Sequence, residues 1–347
     1  MTTVTVGQTS PNLYWIPLVT AAFDLGAPRQ AQLLDGGLIQ QTWRLQTERG
    51  VFIAQKLHPI FDERVTQDGQ IIATFLRQQG LPTPTYLLTT TGELHTHLQE
   101  DPVTSVLWRV MNCLPGISYP KPPHIGYLEQ AGATTAQLHH LLAQLDYQPQ
   151  FQIPHFHDTP YIWQQLRQQS IPPEIAPEAD FLLSSVPSLF IEGIPSQLIH
   201  GDLKFSNFLF DAAGRVSGLL DFDTVMRHHL YLELGDALRS WTTQQSQMHL
   251  PALVASLKGY QQAASATTTG KDLDQQLIVQ GLKLITLELA MRFLQDYFDD
   301  YYWAWDPGQY PDRKSHNLAR CRQQIALFQD IVRQESSIYQ ALAQLKY

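Results

Sequence analysis

Residues 197–224 constrain this chain more than any other stretch. A short apolar run, Leu198-Ile199, delivers His200-Gly201-Asp202, and Asn207 follows that aspartate by five residues. Phe208-Leu209-Phe210 and residues 216–220 are two short apolar segments. Asp211-Ala212-Ala213-Gly214-Arg215 between them supplies turn residues, so the pair reads as a β-hairpin. The second strand runs straight into Asp221-Phe222-Asp223. A loop followed by a hairpin can set Asp202, Asn207 and Asp221 around one point.

Phosphoryl transfer asks for that arrangement. One carboxylate orients the attacking hydroxyl and accepts its proton, while a second carboxylate and an amide oxygen hold Mg²⁺ against nucleotide phosphates. Asp202 suits the first role, Asn207 and Asp221 the second. The order His-x-Asp-Leu-x-x-x-Asn resembles the protein-kinase catalytic loop, with Gly201 at its arginine position and Asp223 where Asp-Phe-Gly ends. A turn rich in Asp and Asn that only caps local backbone is the competing reading, and the strand context after the motif counts against it. Asp223 is either a further metal ligand or a turn cap. Lys204 either reaches a phosphate or faces solvent. His200 reads as structural.

A length of 347 residues fits two domains or one two-lobed unit. With 44% hydrophobic and 16% charged residues the chain can bury a large core. A formal charge of −9 argues against nonspecific binding to nucleic acid or an anionic membrane. Cys113 and Cys321 are isolated, too few for a disulfide framework or a zinc site, and read as core thiols in a reducing cytosol. Residues 1–10 lack a signal-peptide pattern and no long apolar run marks a membrane span, so a cytoplasmic protein is expected.

Residues 1–112 read as a small, mainly antiparallel lobe with one helix. Gly36-Gly37 marks a tight turn between strands, of the kind that can lay backbone N–H groups over phosphates. Residues 51–57 form a strand ending on Lys56, which resembles the nucleotide-binding lysine of kinases. The helix over residues 65–79 offers Asp68 but no glutamate, so the partner of Lys56 stays open. Residues 87–88 and 106–111 read as further strands, and residues 112–116 as a hinge where backbone near Asn112 can meet adenine.

Residues 113–347 read as a larger, mainly helical lobe, with helices over 128–145, 161–169, 179–186, 250–266, 272–298 and 316–345. His155, His157 and Asp158 read as a capping loop rather than a metal site. Gly235-Asp236 is placed at a helix start, with Asp236 bracing the catalytic loop. Residues 301–305, Tyr-Tyr-Trp-Ala-Trp, are either a sugar-stacking platform or core.

Taken together these residues resemble the aminoglycoside phosphotransferase and choline kinase superfamily, whose signature is His200-Gly201-Asp202 through Asn207, then Asp221. Within it the chain looks most like the N-acetylhexosamine 1-kinase group. The stretches behind that likeness are residues 156–160, 221–226, 235–239, 292–297 and 316–320. The resemblance implies a two-lobed, protein-kinase-like α+β fold, with ATP and Mg²⁺ as cofactors. It also implies transfer of the γ-phosphate to a sugar hydroxyl, in that group the anomeric one. Asp202 is then the base, Asn207 and Asp221, with Asp223, the metal ligands, and Lys56 the phosphate contact, with Gly36, Gly37 and Asn112 around the nucleotide. Lys204, Arg292 and Trp303 join Asp202 as substrate contacts. The loop over residues 36–42 departs from that group, which opens the acceptor's identity. Alternatives are another small alcohol (an aminoglycoside, choline or homoserine) or a kinase-shaped binding protein without turnover. A cationic acceptor would call on acids such as Asp296, Asp299 and Asp300. A monomer or dimer is expected.

Overall fold

The computed structural model describes residues 3–5, 13–34, 40–99, 104–265 and 273–345. The glycine turn at Gly36 and Gly37 lies outside them. Strand β1 (Thr3–Thr5) precedes helix α1 (Trp15–Ala22), then β2 (Pro28–Leu33), β3 (Gln41–Thr47), β4 (Gly50–Lys56), helix α2 (Glu63–Gln78), β5 (Thr96–Gln99) and β6 (Ser105–Asn112). The six strands form one antiparallel sheet in the order β1-β2-β3-β4-β6-β5.

Alternation along these strands gives the sheet two unlike faces. Trp43, Ala54, Trp108 and Val110 share one face and pack on Trp15 and Val19 of α1. Trp15 stacks on Trp108 with ring centroids 4.2 Å apart. Thr42, Gln55 and Arg109, which pair in register across β3, β4 and β6, share the other face. Residues 87–88 do not make the expected strand. Tyr86 makes only an isolated bridge to Met111, because Pro82 and Pro84 just before it have no N–H to extend a ladder.

The rest of the chain begins with β7 (Ile117–Ser118), α3 (Ile125–Leu142), α4 (Thr159–Gln168) and α5 (Ala176–Ser185). Strands β8 (Gln197–Ile199), β9 (Phe208–Phe210), β10 (Val216–Leu219) and β11 (Met226–His228) follow, then α6 (Leu230–Thr242) and the short hairpin β12 (Thr243–Gln244) and β13 (Gln247–Met248). Helices α7 (Leu250–Ser265), α8 (Gln275–Asp299) and α9 (Arg313–Ala343) complete it. The architecture is α+β, with a small antiparallel lobe and a larger helical one.

Helix α6 starts five residues before the expected Gly235, capped by the His229 ring, which accepts from Leu232 N. Gly235 sits mid-helix because α6 crosses α8 there: a Cβ on it would come 2.5 Å from the Gly281 carbonyl. The β9–β10 hairpin pairs as the turn residues demand, Phe210 with Val216 and Phe208 with Leu219. Beneath it Phe205, Phe208, Phe210, Leu219 and Phe222 join Trp241 in one buried cluster. Burying each such side chain contributes roughly 1.5–3 kcal/mol. The polar residues of the loop are therefore mounted on rigid aromatic packing.

Candidate active site

The loop from His200 to Asn207 is tied down through His200, Gly201 and Asn207. The fully buried His200 donates from Nε2 to Leu220 O at 2.8 Å, which fixes its tautomer. Its Nδ1 then faces the Asp202 N–H at 3.4 Å. The ring thus ties the start of the loop to the strand end just ahead of Asp221. Asn207 donates its amide N–H to Asp202 O at 2.7 Å. A carbonyl can only accept, so the amide nitrogen is spent there and the Asn207 side-chain oxygen points elsewhere.

Asp221 has φ +69°, in the left-handed region that a non-glycine residue seldom occupies. Such backbone costs of order 1–3 kcal/mol and persists where surroundings hold it, commonly at functional sites. Lys204 Nζ lies 2.7 Å from Asp202 Oδ2 and 3.6 Å from Asp221 Oδ2. One ammonium touches both carboxylates, so the two acids converge on one small volume. Burial acts to lower the Lys204 pKa, but Asp202 and then Asp221 outweigh it and raise it above the ordinary lysine value.

Gly201 is clamped through its backbone. Its N–H donates to Glu233 Oε1 at 2.6 Å, and its carbonyl accepts from His157 Nε2 at 2.9 Å. Both clamps belong to buried hydrogen-bond networks. Glu233 also meets His139 Nε2 at 2.5 Å, and His139 Nδ1 meets the Tyr260 hydroxyl at 2.9 Å. His157 Nδ1 pairs with Glu288 Oε1 at 2.8 Å, and Thr159 donates to the other Glu288 oxygen. Burial alone would raise the Glu233 pKa, yet His139 and the Gly201 N–H bring it below the usual carboxylate range. Gly201 has φ +83°, and a Cβ there would lie 2.3 Å from Thr224 O, so no other residue fits.

A cavity of about 330 Å³ opens in front of these groups. Asp202, Lys204, Asp221 and Asp223 line it, as do Phe156, Arg292, Tyr302 and Trp303. The Arg292 guanidinium carbon sits 5.0 Å from the Phe156 ring centre, 5.6 Å from Tyr302 and 5.4 Å from Trp303. It makes no ion pair among the described residues. Asp296 is buried and accepts from Tyr301 N, Tyr302 N, Trp303 N and the Asn317 amide. It holds the aromatic loop and is not available as a cation-binding acid. Tyr302 and Trp303 thus belong to the cavity wall, while Tyr301 is exposed.

Several expected roles fall elsewhere. The parity of β4 takes Lys56 off the cleft: it pairs with Gln41 and Trp108, on the sheet face covered by α1, and does not line the cavity. The cleft-facing position is Gln55, one residue earlier. Asp68 holds the Tyr147 hydroxyl at 2.5 Å and the Gln150 and Phe151 N–H groups at 3.0 and 2.8 Å, a link between the lobes rather than a lysine partner. Asn112 spends its side-chain oxygen on Thr85 N at 2.7 Å and its backbone N–H on Thr85 O at 3.0 Å, so neither group is offered to a nucleotide. Asp223 is held by Arg109 on both oxygens, 2.7 Å each, and by the Gln40 amide, which makes it a lobe-to-lobe anchor before anything else. Asp236 pairs with Arg239 at 2.8 Å, and the loop brace is Glu233, one turn earlier. Asp158 caps α4 at Tyr161 N, as a capping loop should. Cys321 is buried, its thiol pushed up to about 12 by desolvation, and Cys113 is half-buried.

Sequence reasoning did not single out Arg109, His157, Glu233 or Glu288 as parts of the site. Arg109, within Val106–Met111, is a charged residue inside an apolar stretch, a signal that could have marked it; the other three carry no such local sign.

A small antiparallel lobe over a helical lobe, with two convergent carboxylates lining the cleft, defines a protein-kinase-like small-molecule phosphotransferase. The chain belongs to the phosphotransferase enzyme family, whose model matches residues 30–266. Among curated proteins it is 26% identical over 229 residues to the homoserine kinase of Rhodospirillum rubrum, covering 63% of this chain and 66% of that protein. It is 21% identical to the homoserine kinase of Caulobacter vibrioides, covering 82% and 86%. Among solved structures it resembles an amicoumacin kinase in complex with AMP-PNP and Ca²⁺ (TM-score 0.65, 20% identity, 92% and 93% covered). A microcompartment-associated aminopropanol kinase aligns with TM-score 0.69 at 14% identity (95% and 98% covered), and a choline kinase from Streptococcus pneumoniae with 0.59 at 13% (91% and 99% covered). Among the described residues no helix is long and apolar enough to cross a membrane.

Proposed function

We propose that this protein transfers the γ-phosphate of ATP to a hydroxyl of a small sugar or amino sugar held between Asp202 and the Arg292 wall. The observation that carries this reading is the cavity itself, lined both by two lysine-bridged carboxylates and by an arginine among three aromatic rings. Bound Mg²⁺·ATP supplies the phosphoryl group and the charge that neutralises it. Asp221 and the Asn207 side-chain oxygen are hard oxygen donors of the kind that suits Mg²⁺, and they would hold it. The AMP-PNP and Ca²⁺ in the amicoumacin kinase complex support a nucleotide with a divalent ion.

Asp202 orients the acceptor hydroxyl and takes its proton as the oxygen attacks. Lys204, already balanced between Asp202 and Asp221, offers positive charge to the phosphate oxygens. His200, His157 and Glu233 keep the loop from shifting, which matters because a misplacement of about 1 Å can cost about a hundredfold in rate. Arg292 supplies N–H donors, and Trp303 and Tyr302 supply flat apolar faces, a combination suited to a hydroxylated ring.

The second reading keeps the kinase and makes the acceptor a small amino alcohol carrying a carboxylate, such as homoserine, which Arg292 would pair. The curated relatives favour it. Choline and aminoglycosides fit less well, since a cation would face Arg292 with Asp296 already occupied. A transfer screen with radiolabelled ATP over N-acetylhexosamines, hexoses, homoserine, aminopropanol and choline separates these readings. Labelling of an N-acetylhexosamine or hexose supports the first; labelling of homoserine alone supports the second.

A further inference from the structure

We propose that Glu63, His95 and His97 form a binding site for one divalent transition-metal ion of the zinc class, outside the catalytic cleft. The three side chains each offer one ligand atom, and these atoms lie within 4.8 Å of one another. None of the three lines the catalytic cavity.

The sequence and fold explain why they meet. His97 lies in β5, and His95 lies two residues earlier, a spacing that puts both rings on one face of an extended segment. Leu98, of opposite parity, is buried in the lobe's core, so the two rings turn away from it. The rings stand edge to face, with centroids 5.5 Å apart. Glu63 is the first residue of α2 and reaches the same place, with its Oε2 3.3 Å from His95 Nε2. Asp62, next to it, is fully occupied by Arg64 and the helix cap, so it does not compete.

Two imidazoles and a carboxylate are the donor set that suits Zn²⁺, and they leave a fourth position for water. Zinc–ligand bonds of about 2.0–2.2 Å place tetrahedral ligand atoms roughly 3.4 Å apart. The cluster, whose ligand atoms lie within 4.8 Å of one another, therefore needs to contract by up to about 1.4 Å. Glu63 and His97 are exposed and can rotate to supply it, while His95, with only 11% of its side chain exposed, is the fixed member. Hard cations such as Mg²⁺ prefer all-oxygen sites and have little use for imidazole. A bound ion would tie the first turn of α2 to β5, an edge strand of the sheet. That helix also carries Asp68, which holds residues 147–151.

Calorimetric titration of the full chain with ZnCl₂, without nucleotide and in a non-chelating buffer, tests the site. One equivalent is expected, undisturbed by a large excess of MgCl₂. His97→Gln and Glu63→Gln should each weaken it by at least the 10–100-fold that changes to mere ligand-orienting partners produce. Co²⁺ in place of Zn²⁺ should give the visible absorption of a tetrahedral site in the wild type and lose it in both variants. Both residues are exposed, so circular dichroism of the variants should match the wild type. Zinc binding that is absent in the wild type, or unchanged in both variants, overturns the proposal.

Discussion

Arg109 and Asp223 meet across the boundary between the two lobes in a two-pronged ion pair, 2.7 Å on each arm, with both side chains almost wholly buried. Arg109 comes from β6 of the sheet and Asp223 from the turn two residues after Asp221. Gln55 Oε1 accepts from two further N–H groups of the guanidinium, at 2.8 Å from Nε and 2.7 Å from Nη2. The pair sets the sheet over the hairpin that carries Asp221.

Removing one partner strands a buried charge. Arg109→Met should therefore destabilise the protein by about 3–5 kcal/mol, read from urea unfolding. Arg109→Met with Asp223→Leu should recover most of that loss, because no charge is then left unpaired. Additive losses in the double variant would show that the pair is not coupled.

Gly201→Ala tests the clamp on the loop. The new Cβ meets Thr224 O at 2.3 Å on backbone at φ +83°. The loop must move, and kcat should fall by about a hundredfold. Nucleotide binding, measured by fluorescence with a labelled ATP, should change little. Unaltered turnover would remove loop position from the account.

Arg292→Ala should raise the acceptor KM by roughly 10–100-fold, the worth of a hydrogen bond to a charged group. The KM for ATP should stay within a factor of about two, since Arg292 is set among Phe156, Tyr302 and Trp303 while Lys204 is the cation that meets Asp202 and Asp221. Steady-state kinetics with either substrate varied distinguishes the two.

The His157–Glu288 pair predicts a pH dependence. Burial pulls the His157 pKa down, but Glu288 more than reverses this and raises it above the ordinary 6.5. Burial pushes Glu288 up, and His157 more than offsets this and holds it below the ordinary 4.5. A raised histidine stabilises the fold fully below its unfolded pKa and stops doing so as pH rises through its folded one. A lowered glutamate stabilises it above its unfolded pKa and stops as pH falls through its folded one. Unfolding free energies of the wild type and of His157→Gln with Glu288→Gln, compared from acid to alkaline pH, should thus differ most between about 4.5 and 6.5. A difference that keeps growing above neutrality would contradict the pairing.

Local pattern carried most of the fold into view. The helices at 250–266, 272–298 and 316–345 begin and end within three residues of the observed ones, because each is a long amphipathic run. The hairpin at 208–219 followed from its turn residues. Three things depended on tertiary structure. The face of Lys56 depends on the register of β4, and a one-residue difference in parity moved the cleft position to Gln55. The start of α6 was misplaced because Gly235 suits a helix boundary as well as a helix crossing, and only the position of Gly281 decides. Glu233, His157 and Glu288 act on Gly201 from far along the chain, so no local motif announces them.

The central claim is that Asp202 is the base for a phosphoryl transfer set up by its convergence with Asp221. Asp202→Asn tests it most directly, with ATP-dependent phosphorylation of the best acceptor from the screen measured beside nucleotide affinity. Turnover should drop by about 10²–10⁴-fold while nucleotide affinity holds within a few-fold. Turnover equal to wild type in a correctly folded Asp202→Asn protein would contradict the account.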